Sequence, residues 1–198
     1  MKELKRFCAL CITLFAVLMF GRTLAISAFY APETELSADQ PHLEAAAADS
    51  RSLPARLAIP ALSIDARVEA VGANHRGDMA SPSDYDDVAW YMHGTIPGER
   101  GSAVIAGHLN DGLGLSGAFE RLGDVRIGDD VLVEDEEGRT LRFVVERIET
   151  YGYRSVPLRE VFEGDGAPRL NLITCAGRWT WDGRTYDERL VVYTRLAD

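Results

Sequence analysis

The sequence predicts a mostly β protein whose sheet, antiparallel or mixed, closes into a barrel. Three observations predict it. Short β-branched and aliphatic runs recur from Arg56 to Leu196 with turn residues between them. Eighteen glycines and eight prolines in 198 residues supply many turns. No long helical pattern separates the runs, so strands must pair with one another rather than cross over through helices. The length holds one domain of ordinary size plus an N-terminal extension.

The extension comes first. Lys2, Lys5 and Arg6 precede a stretch without charge from Phe7 to Gly21, which continues to Tyr30 if Arg22 snorkels to the interface. Residues 1–30 therefore read as a signal anchor or transmembrane helix, with the basic end in the cytoplasm and the rest of the chain outside. TLA and ISA, ending at Ala25 and Ala28, match a signal-peptidase site only loosely. Cys8 and Cys11 lie within the apolar run and behave there as small hydrophobes. Residues 31–54, rich in Ala, Glu, Asp and Ser without a sustained apolar face, read as an extracytoplasmic linker that includes His42. Residues 55–198 read as the catalytic domain.

Within that domain RLAIP and RVEAVG read as the first strands, and NHRGDMASPSDYDD as a loop. VAWY and GSAVIAGHL form the next pair around the turn-rich GTIPGER. The clearest hairpin is DDVLVEDEEGRTLRFVVERIETYG, in which Val131, Val133, Phe143 and Val145 alternate with polar neighbours about Glu137-Gly138. SVPLREVFEG accommodates one short helix. RLNLITCAG and ERLVVYTRL are the last two strands, with RWTWDGRTYD as the joining segment.

The net charge of −10 argues against a nucleic-acid partner, which selects for basic patches. Cys175 is the one cysteine beyond the N-terminal run, so an exported domain has no internal disulfide to make. A lone thiol in an oxidising compartment is a liability unless it is used. It is either a buried core thiol or a nucleophile, and its place at the end of LNLIT favours the nucleophile, with donors around it to populate thiolate. His108 ends GSAVIAGH beside the glycine-rich LNDGLGLSG, where an imidazole can serve as general acid and base. His75 and His93, in polar turns, are exposed rivals. Arg189 opens the last strand on the face of Val191 and Tyr193. It either pairs with Asp187 or Glu188 or donates to a substrate carbonyl and its oxyanion. Arg178 and Arg184 fall in a loop and Arg195 at the exposed terminus.

GH, then LITC, then RLVVY, in that order, resemble the sortases, the cysteine transpeptidases that anchor proteins to the cell wall of Gram-positive bacteria. The resemblance covers Arg56 to Leu196 and extends to the anchor and stalk. NHRGDMASPSD, GSAVIAGH and LITCAG are most similar to the actinobacterial class F enzymes. The resemblance implies an eight-stranded sortase-type β-barrel with one or two short helices, and a catalytic His108, Cys175 and Arg189. Thr174 matches the threonine before the cysteine in the family's T-L-x-T-C pattern, and Asn171 departs from its first position. The resemblance further implies a thioester on Cys175, formed at the threonine of a Leu-Pro-x-Thr-Gly-like sorting motif of an exported protein. An amine of a peptidoglycan precursor or a pilin then takes the acyl group. No metal or organic cofactor is implied, and no carboxylate cluster marks a metal site. Trp179 and Trp181 are available to line the substrate groove. An L,D-transpeptidase would carry a compact SHGC-type segment, which is absent. A catalytically silent β-barrel at the cell surface is the alternative from another class.

Overall fold

The computed structural model describes residues 52–110, 114–164 and 166–197. The expected anchor, almost all of the linker, Cys8, Cys11 and His42 lie outside them. Among the described residues no helix is long and apolar enough to cross a membrane.

Eight strands form one closed barrel: β1 (Pro54–Ile59), β2 (Ile64–Val71), β3 (Val88–Tyr91), β4 (Gly101–Gly107), β5 (Asp130–Asp135), β6 (Thr140–Gly152), β7 (Pro168–Thr180) and β8 (Thr185–Leu196). Their order around it is β1-β2-β3-β4-β7-β8-β6-β5. The sheet is mixed: β2 runs parallel to β3 and β4 parallel to β7, and the remaining neighbours are antiparallel. The expected β5–β6 hairpin is present, with Val131 opposite Phe143 and both fully buried. The expected helix is a single short one, α1 (Leu158–Phe162), and two 3-10 turns at Pro60–Leu62 and Leu122–Asp124 complete the elements.

Period-two alternation sorts β7 and β8 into two apolar faces. Leu170, Leu172 and Val192 join Leu57, Ile59, Ile105, Phe119 and Phe143 in the barrel core. Val191 and Tyr193, one residue out of step, pack instead with Val104 and Val161 beneath α1. Arg189 shares their parity, so its neighbours are buried under a helix and not in the barrel lumen. Asn171, where the resembled pattern has threonine, is fully buried. Its Nδ2 donates to the Val161 carbonyl at 2.7 Å and ties α1 onto the sheet.

RWTWDGRTYD is not a loop. β7 continues to Thr180, the chain turns over 181–184, and Thr180 pairs with Thr185. Asp182-Gly183 in the turn is a strong hairpin signal that the polar residues around it obscure. Arg184 takes a positive φ of 48° there, and Arg178 falls within β7. Cys175 is therefore inside a strand, not at its end, and Arg189 is the fifth residue of β8, not its first.

A side chain has no room at Gly107, the last residue of β4. A Cβ at Gly107 would sit 2.6 Å from the ring of Phe119, which is fully buried. Gly107→Ala should therefore destabilise the domain by about 1–3 kcal/mol through overpacking. Chemical denaturation of the variant beside the parent checks it.

Candidate active site

Strand register assembles the site. Cys175 on β7 stands directly opposite Arg189 on β8. The β4–β7 ladder ends at Ala106 opposite Ile173, and two residues further along each chain stand His108 and Cys175. Histidine, cysteine and arginine thus occupy adjacent tracks of one sheet, at an interstrand spacing of about 4.8 Å. Thr174 fastens the first two tracks: its Oγ1 donates to the Gly107 carbonyl at 2.9 Å, and only 4% of the residue is exposed.

The imidazole of His108 is held by the segment between β2 and β3. Nε2 lies 3.2 Å from the Pro82 carbonyl, and the Tyr85 ring tilts over the imidazole with centroids 4.6 Å apart. A hydrogen bond to that carbonyl requires Nε2 to carry a proton. Asn110, two residues on, donates through Nδ2 to the Tyr186 hydroxyl at 2.7 Å.

Arg189 does not pair with Asp187 or Glu188 through their carboxylates. Its Nη1 donates to the carbonyls of Tyr186 at 3.0 Å and Glu188 at 2.7 Å, and its Nη2 to Thr185 Oγ1 at 2.9 Å. The guanidinium lies 5.7 Å from the centre of the Tyr153 ring. All its hydrogen-bond acceptors are neutral, so the positive charge is not cancelled by a carboxylate among the described residues. Asp187 is otherwise engaged, accepting the Arg178 backbone N–H at 2.6 Å.

Cys175 is a free, half-buried thiol. Burial pushes its pKa above the ordinary thiol value, and the Arg189 charge works the other way without cancelling that effect. This differs from the expected thiolate-stabilising surroundings. The strand interior that positions the sulfur also desolvates it.

The other residues singled out in the sequence lie away from this row. His75 and His93 are exposed, and the His93 ring meets Tyr91 edge to face with centroids 5.7 Å apart. Arg195 pairs with Glu146 on the surface at 3.4 Å. Trp179 and Trp181 are 46% and 86% exposed and meet edge to face at the β7–β8 hairpin. Sequence reasoning missed Pro82, Tyr85, Asn110, Thr185 and Tyr186. Pro82 acts through its carbonyl, and the others through a ring, an amide or hydroxyls brought near only by the fold, so only the Asp182-Gly183 turn could have aligned the hairpin in advance. Among the described residues no group of three or more His, Cys, Asp or Glu is placed to hold a metal ion. A cleft of about 700 Å³ lies beyond α1, between Tyr193, Arg147 and Glu160. Its charges pair with one another, as in Arg147 with Glu160 and Arg169 with Glu146.

The family model described as the sortase domain matches residues 57–197, and the chain belongs to the sortase family. Its structure is similar to sortase A from Corynebacterium diphtheriae, at 19% identity over 74% of this chain and 61% of that one, with a TM-score of 0.55. It is similar to sortase C-1 from Actinomyces oris, at 19% identity over 72% and 73% of the two chains and a TM-score of 0.56. Streptococcus agalactiae sortase C1, in complex with MTSET, matches at 20% identity over 72% and 66%, with a TM-score of 0.55. The chain thus spans less than two thirds of the length of the Corynebacterium and Streptococcus proteins. No curated protein matches its sequence.

The opposition of burial and the Arg189 charge fixes a pH dependence. The thiol is protonated at neutral pH, so its alkylation rate should climb through and beyond the ordinary thiol range. Arg189→Ala removes the one influence that lowers the pKa and should move that climb to higher pH, slowing alkylation at pH 8. Rates of iodoacetamide labelling between pH 6 and 10 check both directions.

Proposed function

We propose that the protein is a membrane-anchored cysteine transpeptidase that cleaves a Leu-Pro-x-Thr-Gly-like sorting motif between threonine and glycine and passes the acyl group to an amine. The observation that carries this reading is the row of His108, Cys175 and Arg189 on adjacent tracks of one barrel, with an arginine whose charge no carboxylate among the described residues cancels. Family membership supports it.

The groups present can carry out each chemical step. Cys175 loses its proton to His108, and the thiolate attacks the threonine carbonyl. Arg189 exchanges its present bonds to the Tyr186 and Glu188 carbonyls for the oxyanion that forms, an interaction that strengthens as charge develops. The C–N bond breaks, and the proton held by His108 goes to the departing glycine amine. A thioester remains. An incoming amine attacks it, gives its proton to His108, and leaves with the acyl group, while the thiol recovers a proton. Water in place of the amine gives hydrolysis. No step calls for a metal or an organic cofactor.

Thr174 serves the site from behind, because its hydroxyl is spent on the Gly107 carbonyl beside His108. Trp179 and Trp181 offer an apolar wall on the hairpin that follows Cys175. Residues 1–30 anchor the chain in the cell membrane with the barrel outside, where exported proteins bearing sorting motifs and the acceptor amine of a cell-wall precursor or a pilin are met. The class F subtype rests on the segments NHRGDMASPSD and LITCAG.

Mixing the protein with a Leu-Pro-x-Thr-Gly peptide library and a glycine-based amine, beside a Cys175→Ala control, tests the reading by mass spectrometry. The expected products are peptides cut after threonine and joined to the amine, absent from the control. Failure to cut any member would favour the silent barrel.

A further inference from the structure

Asn110 and Tyr186, 76 positions apart in sequence, meet beside the site. Asn110 Nδ2 donates to the Tyr186 hydroxyl at 2.7 Å, and that hydroxyl lies 3.0 Å from Asn110 Oδ1, to which it can donate in turn. Asn110 follows His108 by two residues, and Tyr186 precedes Arg189 by three. We infer that Tyr186 is a positioning residue that holds the chain leaving His108 and the guanidinium of Arg189 in one fixed relation on either side of Cys175. This rests on the proposed roles of those three residues.

Three attachments make Tyr186 the common point. Its hydroxyl takes Asn110. Its ring meets Trp179 edge-on, with centroids 5.5 Å apart, across the same strand pair. Its carbonyl accepts Arg189 Nη1 at 3.0 Å. A phenylalanine would meet the second and third needs equally well, so the hydroxyl is specific to the first.

That bond is not what fixes the backbone at His108. The backbone at His108 is already fixed by the Phe119 N–H, which donates to the His108 carbonyl at 2.9 Å, and by Thr174 on Gly107. The Asn110–Tyr186 bond adds a tie from the β4 end to the β7–β8 hairpin, past Cys175. Such a tie acts on alignment, to which proton transfer between a thiol and an imidazole is sensitive over fractions of an ångström.

The test uses the full chain and needs no sorting substrate. Alkylation of Cys175 by iodoacetamide is followed through the tryptic peptide 170–178, which separates it from Cys8 and Cys11. In the parent, His108→Ala should slow labelling about tenfold or more, the lower end of what a positioned base contributes. In a Tyr186→Phe background the same substitution should slow it about threefold or less, because the chain that carries the imidazole is no longer tied to the hairpin that follows the thiol. Asn110→Ala should give the same collapse, and the double variant no more than either single. An unchanged His108 effect in both backgrounds, whatever happens to the melting temperature, would overturn the inference while leaving the catalytic reading intact. A double variant that loses clearly more than either single would also overturn it. If His108→Ala has no effect in the parent, both readings fall together.

Discussion

The structure depends most on the register between β7 and β8. It sets Cys175 opposite Arg189, and a one-residue slip would send one of the two to the barrel lumen. The register is pinned on both sides of the pair. Towards the barrel base, Leu172 faces Val192 and Thr194 Oγ1 donates to the Leu170 carbonyl at 2.7 Å. Towards the hairpin, the ladder breaks between Ala176 and Trp179, and the chain bulges at Gly177 with φ +78°. A Cβ on Gly177 would lie 2.2 Å from Asp187 Oδ1, the atom that receives the Arg178 N–H. Glycine is thus required where the strand must bend immediately after the cysteine.

The same register creates an electrostatic tension. A thiol in a strand interior loses solvation, which favours the neutral form, and the partner placed opposite it carries a positive charge that favours the thiolate. Burial prevails, so the thiol is held mainly in its neutral form. In the proposed reaction His108 takes its proton as the sulfur attacks. Arg189 is engaged by carbonyls of its own strand, and a developing oxyanion is a stronger acceptor than any of them. The guanidinium is bound only to neutral acceptors, which the oxyanion of the proposed intermediate outcompetes.

Much of this is legible in the chain. Alternation in Val131, Val133, Phe143 and Val145 marks a hairpin that the structure keeps, and GSAVIAGH ends where a strand ends, with Gly107 packed on Phe119. The fold class can be read from strand spacing and the absence of helical periodicity. The extent of β7 and β8 cannot. Trp179, Thr180, Thr185 and Tyr186 are good strand formers, yet the polar residues between them resemble a loop, and only pairing across Asp182-Gly183 reveals that both strands run on. A loop there would put Cys175 at a strand end and give its thiol a more open setting than it has. Pro82, Tyr186 and Glu188 meet His108 and Arg189 through their carbonyl groups, which carry no residue signature. The lumen and the α1 face are equally apolar, so alternation alone does not tell that Val191 and Tyr193 pack beneath a helix.

The central claim is that Cys175 carries the acyl group between donor and acceptor. Intact-protein mass spectrometry, with the enzyme quenched in acid seconds after mixing with a sorting-motif peptide and no amine, tests it most directly. The account predicts an added mass equal to the peptide's fragment ending in threonine, located on residues 170–178 and removed by hydroxylamine, as a thioester is. Cleavage of the peptide without any such adduct, or an adduct that persists in Cys175→Ala, would contradict it.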